Sequence, residues 1–157
     1  MERLGSAVWE ANWVWSLPLI VFCVVFHVLG LGFVTGRVID ALRPVRDRGH
    51  FLPKFVLGMS VTVLIATALH AIEGGLWAAT YRILGALPDN KAAMLYSLSA
   101  MTSYGHANLF LADRWMMMGA LEALNGMLLF GLTTACLFST ISQIWPRRSR
   151  DRRLSVW

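Results

Sequence analysis

The chain of 157 residues is 57 % hydrophobic and only 15 % charged, whereas soluble domains usually carry about a quarter charged residues. The charges leave three long apolar windows, in which Glu73 and Glu122 are the only charged residues: 11–36, 55–81 and 115–146. Because about 20 apolar residues in a helix cross a hydrocarbon core roughly 30 Å thick, each window can span a bilayer. The composition therefore excludes a soluble domain and predicts a membrane protein with three spans.

The placement of the net charge of +5 predicts the orientation of these spans. Five basic residues lie in 37–54 and five follow Pro146, against one in the N-terminal tail and three in 82–114. Basic residues favour the cytoplasmic side, so we expect the N-terminus outside and the C-terminus in the cytoplasm of a bacterial inner membrane. Both basic clusters adjoin a span, so we expect anionic lipids, not nucleic acid, as their partners.

The first predicted span begins at Trp13 and Trp15, aromatic residues typical of the membrane interface, and ends near Thr35. Residues 1–36 are therefore assigned to an outer tail and an extra transmembrane helix, and residues 37–53 to a basic cytoplasmic loop. The apolar window is too long for a cleavable signal peptide and has almost no basic residues before it.

The second helix is predicted over residues 54–82. Its His70 and Glu73 share one face, and this His-x-x-Glu spacing occurs in metal-binding helical bundles. A metal centre of that kind needs a second such motif, which the sequence lacks, so we interpret the pair as structural and expect no metal site. Haem between His27 and His70 is also not expected, because the predicted spans place the two histidines about 7 Å apart in depth.

A turn at LGALPDN separates this helix from a short apolar helix, predicted over residues 90–102 with Asp89 or Asn90 as its N-cap. Its 11-residue apolar stretch, KAAMLYSLSAM, is too short to span, and the segments on both sides are predicted to lie outside. An irregular loop follows at 103–112. Non-helical backbone at membrane depth is tolerated only where protein buries it or water reaches it, so the sequence predicts a re-entrant element.

The third span is predicted over residues 115–145, where Gly126 and Gly131 are candidate bending or close-packing points. A basic tail occupies residues 146–157. Cys23 and Cys136 both fall inside apolar windows, which indicates small buried side chains rather than a disulfide.

This order of elements resembles the pore module of the two-transmembrane potassium-channel superfamily, and it is similar to small bacterial ion-channel proteins with one extra N-terminal span. The resemblance covers residues 54–145 and rests on HAIEGGLWAATY, LGALPDNKAAMLYSLSAMT and GALEALNG. It implies a homotetramer in which backbone carbonyls of the loop after the pore helix replace the hydration shell of K⁺.

Two alignments with the family's filter, Thr-Thr-Val-Gly-Tyr-Gly-Asp, are open. The first matches Tyr104 and Gly105 to the Tyr-Gly pair, which puts Met101 at the first threonine, Ser103 at the first glycine and His106 at the aspartate.

The second alignment keeps the spacing from Tyr96 to Gly119 without gaps. We prefer it because it retains a hydroxyl at the innermost site and a glycine where the backbone needs freedom. It assigns the positions Thr-Val-Gly-Tyr-Gly-Asp, in order, to Ser103, Tyr104, Gly105, His106, Ala107 and Asn108. Ala107 would then need a positive φ at a cost of about 1 kcal/mol or more. The expected filter, Thr102 to Asn108, is therefore wider and less selective than that of the family.

Four further residues are assigned by the resemblance. Glu122 and Asn125 are expected to support the filter, with Glu122 bonded either to the pore loop or to Asn125. Gly126 and Gly131 are expected to let the inner helix bend. His106 has two interpretations. In the first, the four copies of His106 in the tetramer form a ring at the outer pore mouth, where protonation would reduce cation current. In the second, His106 forms hydrogen bonds behind the filter and supports it.

The sequence thus predicts an all-α membrane protein: three transmembrane helices plus a re-entrant pore helix and filter loop, assembled as a homotetramer. The expected function is a cation channel with an atypical filter that passes K⁺ or Na⁺ and needs no cofactor. The alternatives are a non-conducting channel-like assembly or binding module, and a proton or small-solute pathway that uses Glu73, His106 or Glu122. No pairing of ionisable residues indicates an enzyme.

Overall fold

A computed structural model of the chain describes residues 2–45, 51–105 and 108–145, with side chains from residue 9 onward except that of residue 45. These residues are all-helical. The helices are α1 (Glu2–Leu42), α2 (Phe51–Ile83), α3 (Asn90–Met101) and α4 (Met116–Ile144), with 3₁₀ turns at Arg43–Val45 and Asp113–Trp115. In the described part of the chain, three helices are long and apolar enough to cross a membrane: α1, α2 and α4. The prediction of three helices able to span a membrane is confirmed.

The long helices alternate in direction, as shown by the residues that meet at each end. At one end Leu42 of α1, Phe55 of α2 and Ile144 of α4 form an apolar cluster. At the other end Asn12 of α1 caps α4: its side-chain amide donates to the Arg114 carbonyl at 2.8 Å, and its Oδ1 accepts from the Met118 N–H at 3.1 Å. Helices α1 and α4 therefore run parallel to each other and antiparallel to α2.

Helix α1 is longer than expected at both ends. It begins at Glu2 and continues to Leu42, so the predicted outer tail and the first part of the predicted loop at 37–53 are helical. The helix continues past the predicted span end near Thr35 because Val38 and Leu42 remain buried against α2 and α4. The helix continues through Arg37, whose guanidinium lies over the Phe33 ring at 4.9 Å.

The turn between α2 and α3 has well-defined caps at both helix ends. After α2, Gly85 adopts φ +64°, and the N–H groups of Gly85 and Ala86 donate to the carbonyls of Arg82 and Tyr81 at 3.2 and 2.8 Å. This is the glycine-terminated C-cap in which a left-handed residue ends a helix. Before α3, the Asp89 carboxylate accepts from the Ala92 N–H at 2.8 Å. The structure thus selects Asp89 from the two predicted caps.

Helix α3 packs between α2 and α4 and runs along about a third of their length. Near its C-terminal end, Met101 adjoins Gly74 of α2 and Gly126 of α4. Gly74 precedes the end of α2 by nine residues and Gly126 follows the start of α4 by ten. At 1.5 Å per residue, the end of α3 therefore lies about 13–15 Å along these helices from their near ends. The chain then returns, because the Ala112 N–H donates to the Ala86 carbonyl at 3.1 Å. Residues 87–111 therefore leave and rejoin the bundle at the same level.

Candidate functional site

The predicted filter begins where the chain turns back at the end of α3. The N–H of Ser103 donates to the Ala100 carbonyl at 2.9 Å, and those of Tyr104 and Gly105 donate to the Ser99 carbonyl at 2.9 and 3.4 Å. Within the described residues, no backbone N–H donates to the carbonyls of Thr102 to Gly105. These four residues are exposed. The donors of the loop thus face α3, and its carbonyl oxygens remain available to a ligand.

Two residues of this loop have left-handed backbone conformations. Gly105 adopts φ +75° and Ser103 adopts φ +55°. Glycine takes this conformation without strain, and Gly105 occupies a glycine position in both alignments. The first alignment also places Ser103 at the family's first glycine, and the serine side chain makes a left-handed conformation there cost roughly 1–2 kcal/mol. The backbone at these two positions therefore gives the preferred alignment no support over the first. Of the other predicted filter residues, Asn108 is exposed, whereas His106 and Ala107 lie outside the described residues.

Behind α3, the carboxylate of Glu122 joins three helices. Its Oε2 accepts from the Tyr81 hydroxyl of α2 at 2.6 Å, and its Oε1 is in hydrogen-bond contact with the Ser97 hydroxyl of α3. Ser97 Oγ also lies 2.7 Å from the Gly74 carbonyl. The side chains of Tyr81, Ser97 and Glu122 are fully buried. Glu122 therefore holds α3 itself and makes no bond to the loop in the described part of the chain.

The interpretation in which Glu122 pairs with Asn125 is wrong. Asn125 is fully buried, but neither of its side-chain polar atoms has a hydrogen-bond partner among the described residues. The physical reason is geometric: the carboxylate of Glu122 faces α2 and α3, and each of its oxygens contacts a hydroxyl of one of these helices. Any filter-supporting role of Asn125 stays a prediction.

The two glycines assigned as hinges have different surroundings. A Cβ on Gly126 would lie 2.1 Å from the carbonyl oxygen of Met101, whereas a Cβ on Gly131 would meet no atom within 4 Å. Gly126 is thus required for the close approach of α4 to the end of α3. Its bending role, like that of Gly131, stays a prediction.

A second polar cluster lies deeper in the bundle and joins α1, α2 and α4. His27 Nδ1 lies 2.9 Å from Glu73 Oε1, His70 Nδ1 lies 3.4 Å from Glu73 Oε2, and the two imidazole centroids are 4.8 Å apart. Thr133 Oγ1 lies 2.8 Å from His27 Nε2 and 3.2 Å from His70 Nε2. His27 and Glu73 are fully buried, and the His70 side chain is 13 % exposed.

The expectation that His27 and His70 lie at different depths is wrong. The expected difference in depth was counted from the predicted ends of the spans. The relative position of the two histidines is instead set by the packing of α1 on α2. Counted from the cluster of Leu42 and Phe55, each histidine is 15 residues along its helix (27 to 42 and 55 to 70). The two rings pack on each other, so a haem between them would have to separate them. A second His-x-x-Glu motif is not needed for a set of three potential metal ligands. His27 of α1 lies beside His70 and Glu73 and completes such a set.

Comparison with known families, curated proteins and solved structures finds no match. The assignment of function therefore depends on the chain's own residues and their geometry.

Several residues of these two clusters carry no sequence motif. The sequence gives no role to Tyr81, Ser97 or Thr133. The available signal was the cost of burying polar groups in a membrane, which makes such side chains face the protein and find partners there. Applied to every polar residue of the helices, this rule would have marked His27 and Ser97 as side chains that face the protein, although it would not have identified their partners.

Proposed function

We propose that this chain is the subunit of a channel for monovalent cations, in which α3 is a re-entrant pore helix and residues 102–108 form an atypical filter. The observation that carries the proposal is the path of residues 87–111. They descend about 15 Å along α2 and α4 and return to the Ala86 carbonyl. An element that enters a bilayer half-way and leaves on the same side exposes non-helical backbone at depth. Such backbone needs protein or water around it.

The direction of the backbone groups in the loop supports a cation as the ligand. The N–H groups of Ser103, Tyr104 and Gly105 bond to α3, so the oxygen atoms of this stretch are the groups left to face outward. Carbonyl oxygens that replace water around an ion are the basis of cation filters. Tyr104 is 84 % exposed, which suits a loop that a neighbouring subunit covers.

A single loop cannot enclose an ion path, so the proposal includes an assembly of several copies, with four expected from the family that the sequence resembles. The atypical loop favours passage of both K⁺ and Na⁺ over strict selection. The orientation is the one that the basic residues indicate: N-terminus outside, C-terminus in the cytoplasm of a bacterial inner membrane, and basic loop and tail against anionic lipids. The tail, residues 146–157, lies outside the described residues.

The test is cation flux from liposomes that contain the purified protein. We expect K⁺ and Na⁺ efflux with the wild type, and loss of that efflux with Gly105→Val, because a β-branched residue at φ +75° cannot keep the loop conformation. The matched control is Gly32→Val, at a helical glycine where an added Cβ meets no atom within 4 Å. Assembly without flux in the wild type would favour the non-conducting module. Proton flux without K⁺ or Na⁺ flux would favour a relay.

A further inference from the structure

The cluster of His27, His70, Glu73 and Thr133 contains more hydrogen-bond acceptors than its protons can serve. The decisive group is the Thr133 hydroxyl, which has one proton. It donates to the Leu129 carbonyl at 3.0 Å. Six other threonines of the long helices make the same bond to the carbonyl four residues before: Thr35, Thr62, Thr67, Thr80, Thr134 and Thr140.

With its proton used in this way, Thr133 Oγ1 can only accept from the two histidines. Both Nε2 atoms therefore carry a hydrogen and donate to Oγ1, at 2.8 Å from His27 and 3.2 Å from His70. A neutral imidazole has one N–H only, so both Nδ1 atoms then present lone pairs. These lone pairs face the two oxygens of Glu73, which are also acceptors.

Four acceptor atoms that face one another in a buried place need either an additional proton or a metal cation among them. His70 Nδ1 and Glu73 Oε2 face each other at 3.4 Å, and neither has a hydrogen-bond partner in the described part of the chain. Glu73 is fully buried, and an uncompensated carboxylate inside a membrane span is costly. We propose that His27 Nδ1, His70 Nδ1 and the Glu73 carboxylate bind one divalent transition-metal ion, with Zn²⁺ the best match.

The ligand atoms of the three residues all lie within 4.8 Å of one another, and two of their separations are close to those expected around zinc. Ligand atoms about 2.0–2.1 Å from a tetrahedral zinc are about 3.3–3.4 Å from one another, and the observed separations of Nδ1 from carboxylate oxygen are 2.9 and 3.4 Å. Two imidazoles and one carboxylate are a known zinc ligand set. The Nε2–H groups on Thr133 supply the outer contacts that fix the tautomer of metal-binding histidines. Alkali ions and Mg²⁺ prefer oxygen ligands, so this site is distinct from the proposed cation path.

The ion would join α1 to α2 directly beneath the pore helix. His27 belongs to α1, and Glu73 precedes Gly74, whose carbonyl is within hydrogen-bond distance of the Ser97 hydroxyl of α3. The His70 ring also stacks on Phe130 of α4, with centroids 4.3 Å apart. A metal at this point would fix the register of the helices that hold α3.

The test uses the full chain in detergent micelles, stripped of metal and then titrated with Zn²⁺ or Co²⁺. We expect one ion per chain and the intense visible bands of tetrahedral Co²⁺. Glu73→Gln should weaken binding more than tenfold, whereas Glu10→Gln, at an exposed carboxylate of α1, should bind as the wild type does. Size-exclusion chromatography checks that each variant is folded. Absence of stoichiometric binding to the wild type, or equal binding by the two variants, would overturn the proposal.

A ligand exchange tests the same site without removing it. In His70→Cys the thiolate should take the place of the imidazole and add a sulfur-to-cobalt charge-transfer band in the near ultraviolet. Binding of Co²⁺ to this variant without that band would overturn the assignment of His70 as a ligand. These readings need no ion flux, so their outcome is independent of the proposed channel function.

Discussion

Replacement of Gly126 by alanine tests whether the end of α3 is held as tightly as the structure indicates. The added Cβ would lie 2.1 Å from the carbonyl oxygen of Met101 and 2.7 Å from its carbonyl carbon and Cα. Ordinary contacts between carbon atoms are about 3.5–4.0 Å, so α4 and the end of α3 must separate by roughly 1 Å. Because the opposing atoms are backbone, no side-chain rotation can relieve the overlap.

The expected magnitude follows from two opposing effects. Overpacking of this kind costs about 1–3 kcal/mol, and alanine regains up to about 1 kcal/mol over glycine in a helix. Gly126→Ala should therefore destabilise the protein by the order of 1 kcal/mol. Gly131→Ala gains the same helix propensity with no overlap, since an added Cβ there meets no atom within 4 Å. It should be neutral or stabilising.

The assay is thermal unfolding in micelles followed by circular dichroism, with flux from liposomes measured in parallel. We expect Gly126→Ala to melt below the wild type and Gly131→Ala at or above it, and flux to fall in Gly126→Ala because the filter follows the displaced end of α3. Equal or higher stability of Gly126→Ala would refute the close packing. A similar loss of flux in both variants, with stability unchanged, would favour the hinge interpretation.

Three further predictions concern single side chains. Tyr81→Phe removes a hydrogen bond to the buried carboxylate of Glu122, so it should lower the free energy of unfolding by about 1.5–3 kcal/mol, measured in denaturant; a change below about 0.5 kcal/mol would contradict the bond. Asp89→Ala removes the cap that accepts from the Ala92 N–H and should cost about 1 kcal/mol, whereas Asp89→Asn should cost much less; equal losses would contradict the capping role. External acid, from about pH 8 to about pH 5.5, should reduce cation current if protonation of an imidazole at the pore mouth repels cations; a wild-type current that does not change, or that falls equally in His106→Gln, would count against it.

The number and kind of helices could be predicted from the sequence because apolar length alone determines them. The three spans, the short helix and the cap at Asp89 all follow from local signals. The end of α1 could not be predicted from local signals, because hydropathy falls at Arg37 while Val38 and Leu42 are still packed against α2 and α4. A helix ends where its packing ends, and packing depends on neighbours that a local pattern does not contain.

The candidate site was only partly predictable, for a related reason. Glycine at position 105 indicated the freedom that its φ of +75° requires, since this property belongs to the residue itself. The partners of Glu122 and Glu73 depend on the register between helices, and an error of a few residues in that register had separated His27 from His70. Only the packed bundle places the two rings 4.8 Å apart.

The proposed channel function depends most on a descent of α3 half-way into the bilayer and its return on the same side. Spin labels of known depth in a bilayer measure this path directly. Labels at Lys91, Leu98 and Asp113, placed before, within and after the descent, are compared by their accessibility to oxygen and to a water-soluble nickel complex. We expect a shallow, deep, shallow order, with Leu98 about 10 Å below Lys91 at 1.5 Å per residue. Three equally shallow labels, or a depth that increases steadily from Lys91 to Asp113, would contradict the re-entrant path and the channel proposed from it.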